Sequence, residues 1–330
     1  MRSADGSATL EWGRFMLRSP KGLARSSRAR SGLPSHSGGV EMRHYCAALV
    51  AIALLAAGCG TADEAGPAAV AGARALNSPS QSASTEPVGL IAIGHSGLTG
   101  ESSDPARRGA EAKDNSWATG TSEAVNSVYL RMLRVRPQTE GHVANTAKGG
   151  AKAFNLASQA AQALKVVPNP ELVIIQSLDN DIRCDGSDAL NVSTYGSQVA
   201  DALALVREAS PAAKILIVGQ IGRPATAAPA IAKSPSAKIG VTGTGPCDFF
   251  DPTGKLVPSK IQFLTKVIEG YEAEQAKACA ASPPCRTDEG ALAAFVDDPA
   301  EIVAGHFTTK GIARVAATIW PTVEDFLGKP

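Results

Sequence analysis

No glycine-rich phosphate loop with its lysine occurs in this 330-residue chain, and no dinucleotide fingerprint, so nucleotide chemistry has no motif to rest on. Histidine and cysteine never recur at a zinc-type spacing, which leaves no metal site to assign, and no cofactor is expected. An internal repeat is also missing. So is an excess of charge, since 32 basic and 31 acidic side chains leave a formal balance of +1. The apolar run 46–57 is too short to span a bilayer.

That run has a different meaning at its position. Met42-Arg43-His44-Tyr45 gives it a basic start, and Gly58-Cys59-Gly60 follows it, which together read as a secretory signal over 42–58. Leu55-Ala56-Ala57-Gly58-Cys59 resembles the bacterial lipobox, in which the cysteine after the cut carries the lipid; this makes Cys59 the expected lipidation site. Residues 1–41, rich in Arg, Ser and Gly and without an apolar period, read as a non-native extension or a disordered tail, with Met42 the expected initiator. Without residues 1–58 the chain keeps 24 basic and 28 acidic side chains, a balance of −4. A mildly acidic exported chain is not expected to bind nucleic acid.

Four cysteines remain after Cys46 of the signal and Cys59. An even number in an oxidising compartment predicts two disulfides. Cys279 and Cys285 enclose a short Ala-Ala-Ser-Pro-Pro turn and are expected to pair, which leaves Cys184 with Cys247, although four cysteines allow three connectivities. Residues 59–87, mostly Ala, Ser, Gly and Pro, read as a flexible tether, and 88–328 as a single domain.

Within that domain short apolar runs alternate with helical patterns. Strands are predicted at 88–93, 142–147, 171–177, 214–219 and 291–296, and helices at 122–133, 151–166, 193–209, 258–279 and 309–326. Such alternation predicts an α/β fold, a parallel sheet with helices on both faces, whose site gathers at the carboxyl ends of the strands.

Three strand ends and one late loop carry the chemistry. Gly94-His95-Ser96-Gly97 closes the first run with a hydroxyl at a tight turn, a good position for a nucleophile once a base and oxyanion donors are supplied. Asn145-Thr146-Ala147-Lys148-Gly149-Gly150 opens a helix with free backbone N–H groups. Leu178-Asp179-Asn180-Asp181 is a polar cluster directly after a buried strand, and Gly305-His306 precedes an amphipathic helix capped by Thr308 or Thr309. Arg183 and Asp185 either line the cleft or pair on its rim, and Trp117 reads as a buried anchor ahead of a substrate platform.

In this order the four segments resemble the SGNH hydrolase superfamily, the GDSL esterases and lipases, over nearly the whole domain. Gly94-His95-Ser96 is similar to the first block with His95 in place of the aspartate and Gly97 interrupting the leucine. Asn145-x-Ala147-x-x-Gly150 is similar to the second. Asp179-Asn180-Asp181 is similar to the third, with Leu178 where that block has glycine. His306 matches the last block, whose aspartate position holds Val303.

The resemblance implies a three-layer α/β/α, flavodoxin-like fold. It also implies a serine esterase in which Ser96 attacks, His306 is the base, and Ser96, Gly150 and Asn180 form the oxyanion hole, with Gly149 a competitor for the glycine role. For the acid, Asp298 is expected first, then Asp297 and Glu301; a backbone carbonyl orienting His306 would leave a Ser-His dyad. The expected substrates are short acyl or acetylated carbohydrate esters. The expected place is the outer face of the bacterial membrane or cell envelope, held by the lipid on Cys59. The alternative from a different class is a non-catalytic cell-envelope binding protein that keeps this fold.

Overall fold

A computed structural model describes residues 86–233, 235–295, 298–303 and 305–328. The tail 1–41, the signal 42–58, Cys59, nearly all of the tether and Asp297 lie outside the described residues.

Five parallel strands form the central sheet: β1 (Leu90–Gly94), β2 (Val143–Asn145), β3 (Leu172–Gln176), β4 (Lys214–Val218) and β5 (Cys285–Thr287). Their order across the sheet is β2-β1-β3-β4-β5. The chain leaves β1 toward one edge and returns through β3 toward the other, so the crevice between β1 and β3 is the topological switch point where open α/β sheets bind ligands.

Strand periodicity sends alternate side chains to opposite layers. Ile91, Ile93, Val173, Ile175, Ile215 and Ile217 pack in one core with helices α2 (Leu156–Val166), α3 (Asp188–Ala209) and α6 (Pro258–Ala280). Leu90, Ala92, Leu172, Ile174, Leu216 and Val218 pack in the other with α1 (Val128–Val135) and α7 (Thr309–Leu327). Because both faces are covered, the strands read as continuous apolar runs rather than alternating ones. The three layers are those expected.

Two shorter helices, α4 (Pro224–Ala232) and α5 (Pro235–Ile239), were not expected, and α4 carries Pro229 inside it. A further correction concerns the fifth strand. It is the edge segment β5, whereas residues 291–295 form turns, and Leu292 and Phe295 are apolar because they fill the α1/α7 core. α1 begins later than the pattern suggests, at Val128, where the Ser127 hydroxyl accepts the Leu130 N–H at 3.2 Å.

The disulfides pair as expected, Cys184 with Cys247 and Cys279 with Cys285, across Cα separations of 5.6 and 5.2 Å. The second ties the end of α6 to β5. Among the described residues no helix is long and apolar enough to cross a membrane.

Candidate active site

β1 ends at Gly94 with φ +144°, where a Cβ would overlap the Gln176 carbonyl oxygen of β3. Only glycine lets the chain turn this close to its neighbour. Gln159 of α2 fixes the turn, its Oε1 accepting the Gly94 N–H at 2.7 Å and its Nε2 donating to the Gly94 carbonyl at 3.0 Å. The chain then enters a single 3-10 turn, Ser96–Leu98, with His95 at its N-cap. His95 Nδ1 accepts the Gly97 N–H at 3.0 Å. Gly97 is tightly surrounded as well, since a Cβ there would sit 2.7 Å from Gln176 Oε1 and 2.9 Å from His95 Cε1 and would have to displace one of them.

An Nδ1 that accepts places the proton of neutral His95 on Nε2. That nitrogen lies 3.4 Å from Asp179 Oδ2, so the Ser96 turn and the β3 loop meet through His95 and Asp179. The β3 loop begins at Leu178 with φ +136°, a conformation that favours glycine, and its side chain is fully buried. Asn180 follows, donating from Nδ2 to the Ala151 carbonyl at 3.0 Å and keeping a second amide hydrogen. Asp181 is buried, and its carboxylate accepts the Ala153 N–H at 3.0 Å. Burial pushes its pKa up to about 6, with repulsion from Asp179 adding to it and the Ala153 N–H and Lys152 opposing.

The third side comes from the hairpin β6 (Ile302–Val303) and β7 (His306–Phe307), after which the Thr308 hydroxyl caps α7 by accepting the Gly311 N–H at 3.3 Å. Ser96, Asn180 and His306 thereby line one cleft of about 740 Å³, open to solvent, together with Glu101, Asp179 and Gln220. Ile221, Phe307 and Ile312 contribute apolar side chains to its lining. Among the described residues no acceptor takes the Ser96 N–H. The cleft therefore combines a hydroxyl, an imidazole, and a backbone and an amide donor at the sheet's switch point.

Other expected residues lie elsewhere. Gly150 is exposed, with φ +74°, and is not among the residues lining the cleft; the Gly149 N–H is engaged by Glu111 Oε1 at 2.8 Å. From the same segment Asn145 instead ties strands and turn together, its Nδ2 reaching the Leu98 carbonyl at 2.9 Å and Thr119 Oγ1 at 2.7 Å. Asp298 is exposed, does not line the cleft, and uses its carboxylate to accept the Ala300 N–H at 3.0 Å, capping a 3-10 turn. Glu301 is buried against Arg314 at 2.8 Å and Lys310 at 3.1 Å. Arg183 bonds Asn191, Asp185 bonds Ser187, and Trp117 is a buried anchor whose Nε1 donates to Gln176.

Two cleft residues escaped the sequence reading. Gln220 Oε1 is buried with no hydrogen-bond partner among the described residues. The Glu101 carboxylate lies 3.9 Å from His306 Nε2, and the one signal for it in the sequence is an acidic residue on the loop that carries Ser96. Burial raises its pKa, repulsion from Glu111 adds to this, and Lys148 opposes it.

No protein-family model matches the chain, and no curated protein does. Among solved structures it is similar to an extracellular lipase from Streptomyces rimosus, with TM-score 0.42 and 15% identity over 72% of this chain and 100% of that one. A phospholipase A1 from Streptomyces albidoflavus gives 0.41 and 13%, covering 72% and 98%. A two-domain esterase active on acetylated mannans gives 0.41 and 13%, covering 74% of this chain and 51% of that chain.

Proposed function

We propose that this chain is an exported serine hydrolase of carboxylic esters. The observation that carries the reading is that Ser96, Asn180 and His306, brought from three separate loops, line one cleft at the carboxyl edge of the sheet. Ser96 Oγ attacks the ester carbonyl carbon while His306 takes the hydroxyl proton, and the carbonyl electron pair moves onto oxygen. The Ser96 N–H and the second Asn180 amide hydrogen stabilise that oxyanion. On collapse the alkoxide leaves with the proton held by His306, and water, deprotonated by the same imidazole, releases the acid from Ser96. Losing one oxyanion donor, as in Asn180→Ala, should cost about 3 kcal/mol of transition-state stabilisation.

Short acyl groups and acetylated carbohydrates suit a cleft in which Ile221, Phe307 and Ile312 stand beside the polar side chains of Glu101, Asp179, Asn180 and Gln220. Export is supported by the two disulfides and by the basic, apolar and Gly-Cys order of 42–59. In this reading a lipid on Cys59 anchors the domain at the outer face of the cell envelope, and Cys59→Ser releases it from membranes. A fluorophosphonate probe tests the chemistry: it should label the wild type and leave Ser96→Ala unlabelled. Folded wild-type protein that takes no label would favour the non-catalytic binding role.

A further inference from the structure

We infer that Glu101 is the carboxylate that holds the His306 imidazolium, in place of the acid that the family pattern puts three residues before the histidine. The inference rests on the hydrolase reading for its chemistry, but its geometry stands apart from it. Glu101 is buried in the cleft wall, and among the described residues no hydrogen bond reaches its carboxylate. Its Oε1 is 3.9 Å from His306 Nε2, about an ångström longer than a charge-assisted hydrogen bond. Catalytic contacts are commonly loose in a free enzyme and tighten around substrate.

The surroundings explain why an acid sits there. Gly149 packs so closely on Glu101 that a Cβ would lie 2.7 Å from its Oε2. Of the charges nearby, Glu111 is held by the Gly149 N–H and by Lys148 at 3.2 Å, with Lys113 at 3.8 Å, and Lys148 also attracts the Glu101 carboxylate. On the far side of the cleft Asp179 faces His95. A carboxylate on the wall of this cleft stabilises a cation formed on His306 during proton transfer. Val303 and the solvent-facing Asp298 offer no comparable contact. Glu101 also travels with the nucleophile, five residues after Ser96 on one loop, so the serine and the acid are positioned by the same turn.

Glu101 is thus a positioning residue, and its charge is what matters. In Glu101→Gln, which keeps the shape, the His306 ring titration followed by long-range proton–nitrogen correlation should move about one unit toward lower pH. The signal is assigned among the five histidines by its loss in His306→Ala. Turnover should fall on the order of 10- to 100-fold with KM little changed, and the acid limb of kcat/KM should follow the ring titration downward. An unchanged His306 midpoint in folded Glu101→Gln would overturn the inference whatever the turnover. A shifted midpoint in a protein that no fluorophosphonate labels would keep the Glu101–His306 pair and remove the hydrolase reading instead.

Discussion

Leu178 offers a test in which the usual order of two substitutions reverses. Its side chain is 1% exposed in the core beneath the β3 loop, and its backbone sits at φ +136°. Truncating a buried leucine to alanine costs about 3–5 kcal/mol. Alanine keeps the Cβ, so it keeps the backbone strain, which for a non-glycine residue in such a region is of order 1–3 kcal/mol. Glycine loses the same packing and releases that strain, against an extra unfolded-chain entropy of about 0.5–1 kcal/mol. Leu178→Gly should therefore be more stable than Leu178→Ala by up to about 2 kcal/mol, with both below the wild type. Urea unfolding with a common m-value reads the difference directly, and in a domain of this size it corresponds to several degrees in Tm, at about 2–4 °C per kcal/mol. If Leu178→Ala equals or exceeds Leu178→Gly, the loop that presents Asn180 is not strained and the argument fails.

Gly97→Ala should fold yet label slowly with fluorophosphonate, because its Cβ must displace Gln176 or His95 and with them the Ser96 turn; wild-type labelling would show that the turn tolerates it. Asp181 gains its proton more readily folded than unfolded, so its contribution to stability is full below about pH 4 and declines up to pH 6, by about 3 kcal/mol in all. Asp181→Asn should flatten the Tm–pH curve between those values, and parallel curves would contradict the cause assigned to the shift. Asp298→Asn keeps a capping oxygen for the Ala300 N–H and should retain both stability and turnover, whereas a loss of several orders of magnitude in rate would return Asp298 to the triad.

The segments that could be read in advance are those whose neighbours along the chain decide their state. The runs at β1, β3 and β4 are apolar without a break because both faces of a parallel sheet are covered, and each stops at polar or glycine-rich turns. β5 could not be read this way: Cys285, Arg286 and Thr287 form a half-buried edge whose only reason to extend is the waiting edge of β4. The run at 291–296 misled for the complementary reason, since contact with a helix rewards apolar side chains without asking for a strand. α4 was hidden by Pro229, which argues locally against a helix that tertiary packing nonetheless accommodates.

The same division runs through the site. Sequence alone determined the layers, the turn that carries Ser96 and the loop that carries His306, because each is written in local pattern; it also predicted two disulfides from parity, while leaving their connectivity to the fold. Only the tertiary structure decided that Asp298 faces solvent, that Gly150 stands outside the cleft and that Glu101 stands beside His306. Those outcomes depend on which loops converge at the β1/β3 crevice. Convergence of residues far apart in the chain is set by packing of the layers, and no local preference of the residues themselves encodes it.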